Sequence, residues 1–462
     1  MSDVPLTLSD AVVTPTQRVP GPSGPEMLAN IALMRRAPPD FLAQCADRYG
    51  AVVRFPIPRS DVFLVSDPSD VRRVLQGNHT AYGKRTIQYG TLALVTGSGL
   101  LASDGDLWRR MRRTLSPAFH HERVADMSGA ITRVASRWVE KTRASGVREI
   151  DLDAAMLELS LQIVGTTLMG GSIGRARSVV DAVMDALHVV VRKAQQPLPI
   201  PEAWPTPGKR RFASALAVLE AAVDALIAQR RLKPSGDDAL SMLITAADEG
   251  NASPREVRDE VVTLIVAGHE TVAATLTWTW VLLAAHPDVE QRLHDEVDVM
   301  TDGELSGQVD RSRLRYTRAV VDECLRLYPP AWVITRRALD PDVLGGCAIP
   351  TGATVIASPY VTQRDARIWP DPLRFAPERF MADAAIETGR GSMTYFPFGA
   401  GPRLCIGRDL ALLEAPLLIA TLARGLRFRP KTPAAVQPDF GVTLRPKGGL
   451  PVVVTPRAAL PA

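Results

Sequence analysis

Cysteine and histidine are scarce in this 462-residue chain, four of one and seven of the other. The cysteines, Cys45, Cys324, Cys347 and Cys405, are too scattered for zinc-finger pairing, and the histidines include no HExxH. That argues against a zinc centre and against a disulfide-stapled secreted fold, and predicts a reducing, cytoplasmic setting. The net charge of +4 comes with no basic block or arm, so nucleic acid is not an expected partner. The opening MSDVPLTLSDAVVTP lacks a basic n-region and an apolar run, which predicts neither a secretion signal nor a membrane anchor. No internal repeat and no domain-separating linker are visible.

What is present is ordinary globular composition, 46% hydrophobic and 23% charged. One run, residues 261–285 (VVTLIVAGHETVAATLTWTWVLLAA), is long and apolar enough to span a bilayer. His269 and Glu270 near its middle would be costly in lipid, so the run reads as a helix buried through a large soluble protein. Ser253 followed by Pro254 and Glu256 gives a capping box, and His286-Pro287 gives a stop. A helix between them is about 45–50 Å long at 1.5 Å per residue, enough to cross the molecule.

Elsewhere residues 1–25 read as an extended arm and 51–66 as a hairpin. Helical periodicity follows near 67–77, 106–117, 122–145, 151–170, 175–195, 208–232 and 237–249. Residues 196–208 are too rich in proline for helix and read as a lid-like loop between two helices. Helices near 287–301 and 314–327, strands within 333–358, a loop-rich stretch over 361–404, a helix from about 406 to 424 and strands to 457 complete the order. The expected fold is mostly α with a small β part, one large domain over 26–462 built around the long central helix.

The stretch FPFGAGPRLCIG, residues 396–407, holds one thiol in a glycine-rich turn before an apolar helix. The positive end of that helix favours a thiolate at Cys405. Gly399, Gly401 and Gly407 allow close backbone approach, and Phe398 can pack on a flat partner. A single thiolate ligand flanked by an arginine suits an axially ligated haem.

The pattern Phe398-x-x-Gly401-x-Arg403-x-Cys405-x-Gly407 resembles the haem-ligand signature of the cytochrome P450 family, in its soluble bacterial type. Glu323 and Arg326 resemble that family's ExxR pair, and Pro377-Glu378-Arg379-Phe380 its arginine motif. The resemblance implies that Glu323, Arg326 and Arg379 form a buried ion network serving the fold and haem retention. Trp108 and Arg112, four apart and so on one helix face, resemble its WxxxR helix, which implies propionate contacts. Arg403 and Arg336 match further propionate positions, with Arg337 the neighbouring alternative to Arg336.

Ala267-Gly268-His269-Glu270-Thr271 in the central helix resembles the family's AGx(D/E)T motif. Activating dioxygen consumes protons inside an apolar pocket, so an acid that relays them and an alcohol that orders water suit Glu270 and Thr271; a Thr in an apolar helix can also simply bond back to its own backbone. Gly268 and Ala267 are read as leaving space above the iron, and His269 as structural. By the same resemblance, substrate walls are expected from residues 87–101 in the loop before Trp108, including Leu92 and Val95, from Val266, Ala267, Ala331 and Val333, and from a C-terminal hairpin tip at 447–450, including Leu450. Their apolar character predicts a lipophilic substrate.

The resemblance implies a haem b monooxygenase that takes O2 as cosubstrate and hydroxylates or epoxidises a small molecule. With no flavin or iron–sulfur segment beside the one haem domain, electrons are expected from a ferredoxin with its ferredoxin reductase; Trp108 and Arg112 turned inward would leave Arg109, Arg110 and Arg113 facing that partner, and a monomeric state is expected. The competing readings are a peroxide-using or rearranging enzyme on the same scaffold, and a non-catalytic haem-binding sensor.

Overall fold

The computed structural model describes residues 19–457 except 59, 147, 175, 195–205, 235, 301–310, 382–392 and 433–435. Most of the arm expected over 1–25 and most of the loop over 196–208 lie outside the described residues. The arm ends earlier than the sequence suggests. Ser23 and Glu26 form a capping box that starts a helix at Gly24–Ala29, followed by Ile31–Arg36 and Pro38–Tyr49. Prolines that read as breakers stand at helix starts, where a missing N–H costs nothing.

The predicted hairpin forms from Val52–Ile57 and Ser60–Val65. It continues through Thr354–Ala357 and Ile334–Ala338 to Tyr82–Gly83 in a five-stranded sheet. Phe63, Val65, Ile334 and Val355 of this sheet share a cluster with Phe396 and Ala400 of the cysteine loop.

The central helix, Pro254–Ala285, has the bounds its cap and stop signals predict, with both capping-box bonds made. Its principal neighbour is the helix Leu152–Leu168, which runs against it through the largest core cluster. Trp278 and Trp280 are fully buried there. Among the described residues two helices are long and apolar enough to cross a membrane, the central one and Pro207–Leu232; the apolar window of the first is 83% buried inside the protein and that of the second 22%. Burial by protein on all sides accounts for the apolar run of the central helix.

Three expectations need correction. Residues 87–101 are not all loop, because Ile87–Thr96 is a helix that buries Tyr89, Leu92 and Val95. The C-terminal hairpin is Pro438–Phe440 paired with Leu444–Pro446, so its tip is 441–443 and not 447–450. The Gly448-Gly449 turn instead leads into the strand Pro451–Pro456, which pairs with Glu149–Asp151 and Leu426–Pro430.

Candidate functional site

The cysteine loop is a set of turns closed by its own backbone. Gly399 N–H donates to Phe396 O, Leu404 N–H to Gly401 O, and Cys405 N–H returns to Phe398 O at 3.0 Å. Gly401, with φ +66°, lies so close to Leu75 that a Cβ would stand 2.1 Å from its carbonyl oxygen. Gly399 has φ +70° but only ordinary contacts, and at Gly407 a Cβ would meet Phe119 at 3.8 Å and the Cys405 sulfur at 4.0 Å. Of the three glycines, then, only Gly401 answers a steric clash within the protein. The following helix, Arg408–Gly425, begins two residues later than expected.

Cys405 is the exposed one of the four free cysteines, yet burial pushes its thiol pKa up. The residue as a whole reaches the surface while the surrounding protein desolvates its thiol. The Gly407 N–H, Arg112, Arg408 and Lys84 all act the other way and favour the thiolate. Among the described residues no group of three or more His, Cys, Asp and Glu is placed to hold a metal ion.

Beside the sulfur lies a cluster of cations. Arg112 donates to Leu404 O at 2.9 Å, and Arg403 stacks 3.7 Å over the Trp108 ring while pairing with Asp104. Arg336 is buried and reaches Tyr89 OH at 3.3 Å, whereas Arg337 points out; that decides which of the adjacent arginines faces inward. Lys84 donates to Leu101 O at 2.8 Å. Burial, then repulsion from Arg336 and Arg403, holds its pKa well below the ordinary lysine range, and burial brings Arg403 down to about 10. Four cations crowded around one aspartate form a site suited to a group carrying more than one carboxylate. The Cys405 thiol and this cluster fit a haem with its two propionates. Cys405 would hold the iron, and Arg112, Arg336, Arg403 and Lys84 would hold the acid groups. Sequence reasoning missed Lys84, Tyr89 and Asp104, whose roles arise from contacts between segments distant in the chain.

The ion network is formed. Glu323 holds Arg326 by two bonds of 2.7 and 2.8 Å, with Arg379 at 3.5 Å, and both members of the ExxR pair are fully buried. The Arg326 guanidinium also donates to the carbonyls of Gln363, Pro372 and Arg374. Gln363 then accepts from Phe396 N–H at 2.9 Å, which ties the network directly to the cysteine loop. No sequence motif marks Gln363.

On the central helix, Glu270 is buried and accepts a 2.7 Å bond from Thr443 at the hairpin tip. Thr271 donates back to Ala267 O at 2.8 Å. Its lone pairs remain available to accept from water, so the back-bond removes its donor and not its acceptor role. Gly268 does not clear space on the reactive side, because a Cβ there would press on Val164 at 2.8 Å; the glycine serves packing against Leu152–Leu168. His269 is fully buried, bonded to Ile265 O, and burial lowers its pKa to about 4, which keeps it neutral.

Of the expected wall residues, Leu92, Val95 and Val266 are buried, Ala267 and Val333 half-buried, and Ala331 exposed. The helix Ile87–Thr96 is tied to Val333 and Thr335 by Gln88, which brings two of these segments together. Leu450 does not join them. It is 2% exposed in the main core, with its N–H on Asp151 and its carbonyl accepting from Leu152. A cleft of about 540 Å³ lies between Leu94, Leu216, Arg258 and Val262. Its lining includes Val95 and meets the central helix at Val262, nine residues and about 13 Å along the helix from Thr271.

Comparison with known proteins agrees with this geometry. The family described as Cytochrome P450 matches residues 19–451. Cyclooctat-9-en-7-ol 5-monooxygenase of Streptomyces melanosporofaciens is 35% identical, over 94% of this chain and 95% of its own. Pentalenene oxygenase of Streptomyces avermitilis is 32% identical, over 88% and 90%. The crystal structure of CYP175A1 from Thermus thermophilus superposes with a TM-score of 0.77 at 32% identity, covering 95% of this chain and 100% of that one. With a desolvated thiol, a cationic cradle and a buried ExxR pair placed as the motif order requires, the chain belongs to the cytochrome P450 family and is a haem b monooxygenase that uses O2 as cosubstrate.

Proposed function

We propose that this enzyme hydroxylates or epoxidises a lipophilic small molecule of the terpene class in the bacterial cytoplasm, as a soluble monomer fed by a ferredoxin and its reductase. The observation that carries the reading is Cys405, exposed as a residue yet with a desolvated thiol, beside buried Lys84 and Arg336 and half-buried Arg112 and Arg403, with an acid–alcohol pair on the central helix. The names of the two Streptomyces relatives support the substrate class. When bound, haem b supplies the centre at which dioxygen is activated and one oxygen atom is passed to substrate.

The protein's part is positioning and proton supply. Arg112, Arg336 and Arg403 hold the acid edge of the cofactor and neutralise it, and Trp108 supports Arg403 by stacking. Leu92, Val95, Val266, Ala267 and Val333 exclude bulk water from the reacting face. Thr271 accepts from an ordered water, and Glu270 passes protons to it. For electron supply, Arg109, Arg110 and Arg113 are exposed on the helix Gly105–Leu115, but Arg109 pairs with Asp106 and Arg110 with Glu256 at the start of the central helix. Arg113 is thus the strongest of the three as a partner contact, and Arg110 the weakest.

The test compares three variants with the wild type in the reduced carbon-monoxide spectrum. Cys405→His loses the thiolate-type band, while Cys347→Ala keeps it. Thr271→Ala keeps the band but diverts NADPH equivalents supplied through a plant-type ferredoxin into hydrogen peroxide. Unchanged peroxide yield in Thr271→Ala, or loss of the band in folded Cys347→Ala, overturns the assignment.

A further inference from the structure

Glu270 is held from outside its own helix. Its Oε1 accepts from the Thr443 hydroxyl, and both side chains are buried. Thr443 sits in the turn between Pro438–Phe440 and Leu444–Pro446, and that turn is fixed on several sides. Trp332 Nε1–H donates to Gly441 O at 3.1 Å, Trp278 Nε1–H donates to Leu444 O at 3.1 Å, and Leu444 N–H donates to Pro330 O at 3.0 Å.

Two residues on, Arg445 forms a buried ion pair with Asp153, which also accepts from Thr277 of the central helix at 3.3 Å. Thr443 in the turn and Arg445 in the strand both reach groups at the central helix, Thr443 the carboxyl of Glu270 and Arg445 the Asp153 that accepts from Thr277. The hairpin therefore presents to the helix a hydroxyl and a cation side by side. The tip that the sequence placed at 447–450 lies instead at 441–443, and it carries the partner of the acid.

We propose that Thr443 is a positioning residue for proton delivery, its hydroxyl fixing the aim of the Glu270 carboxyl and stabilising its ionised form. The inference rests on the Glu270–Thr271 reading given above. A carboxyl without this bond would be free to rotate about its side-chain torsions, and Thr271, whose hydroxyl hydrogen is committed to Ala267 O, has no donor with which to hold it. The charged groups facing Glu270 are Arg445 on the hairpin and Asp153 at the start of Leu152–Leu168. Burial raises the Glu270 pKa, Arg445 and then Thr443 draw it back, and Asp153 adds to the rise. His269, next in the chain, is neutral and contributes no charge. Removing the Thr443 hydroxyl removes one stabiliser of the carboxylate, so ionisation moves to higher pH.

The experiment is an infrared pH titration of the haem-loaded enzyme, reading the carboxyl band that Glu270→Gln removes. Thr443→Val keeps the side-chain shape without the hydroxyl, and Thr443→Ser restores the hydroxyl. The expected result is a midpoint about one pH unit higher in Thr443→Val, a wild-type midpoint in Thr443→Ser, and a peroxide yield per NADPH raised in Thr443→Val and Glu270→Gln only. A loss of packing alone would not move the carboxyl midpoint or be rescued by serine. Coincident midpoints in the three proteins, with peroxide raised in Glu270→Gln, overturn the role of Thr443 and leave the proton-delivery reading standing. Unchanged peroxide in Glu270→Gln overturns that reading and the inference with it. The thiolate-type carbon-monoxide band reports that each variant is folded around its cofactor.

Discussion

The cysteine side and the acid–alcohol side of this molecule are held in place by different means. Around Cys405 the geometry is mostly local: three backbone bonds within ten residues, two glycines at positive φ, and Arg326 and Gln363 bracing the loop from behind. Around Glu270 the placement comes from far along the chain, since the partner hydroxyl belongs to residue 443 and the nearby cation to residue 445. The first arrangement fixes a ligand atom and tolerates little. The second fixes an orientation and can be tuned without unfolding the protein.

That contrast sets expectations for variants. Arg326→Leu leaves Glu323 as a buried carboxylate with only Arg379 at 3.5 Å and the Ala376 N–H for support. The expected cost is about 3–5 kcal/mol, read as a lower Tm and loss of haem on purification. A loss no greater than that of Thr443→Val would erase the division between the two sides. Within the cysteine loop, Gly401→Ala meets both positive φ and a carbonyl at 2.1 Å, while Gly399→Ala meets positive φ alone. Chemical denaturation is expected to show about 1–3 kcal/mol for Gly401→Ala and about 1 kcal/mol for Gly399→Ala. Equal losses would mean that the approach to Leu75 is easily relieved.

The smallest effect on stability is expected outside both sides. Charge reversal at Arg109 and Arg113 is expected to change stability by less than about 0.5 kcal/mol and to slow reduction by a plant-type ferredoxin several-fold at low salt, with the difference fading as salt rises. Arg110 is best left intact, because its bond to Glu256 braces the capping box of the central helix. Reduction rates that match wild type at every ionic strength would place the electron partner on another surface.

Legibility in the sequence followed the same line. The central helix was readable to the residue because Ser253, Pro254, Glu256 and His286-Pro287 are local signals. The cysteine loop, the ExxR pair and the acid–alcohol pair were readable because each is a short motif. The helix Ile87–Thr96 was not, since Gly90 and Thr91 interrupt its periodicity and its stability comes from burial of Tyr89, Leu92 and Val95. The hairpin tip was misplaced because Gly448-Gly449 is the stronger turn signal, although it serves the next strand. Lys84, Asp104, Gln363 and Thr443 carry no motif, and only the folded chain brings them to their partners.

The turn after Ile87–Thr96 sets a boundary for anyone diversifying the pocket. Ser98 N–H and Leu100 N–H are fastened to Asp259 and Glu260 of the central helix at 2.7 and 3.0 Å. A Cβ at Gly97 would stand 2.2 Å from the Asp259 carboxyl carbon, and one at Gly99 would stand 2.0 Å from the Thr263 hydroxyl oxygen. A library drawn across positions 87–95 can therefore vary side chains of this helix, whereas one that randomises 97–100 disturbs the bonds and close approaches that attach the turn to the central helix. The useful edge of mutational freedom falls at Thr96, between a helix whose side chains can change and a turn whose backbone is pinned.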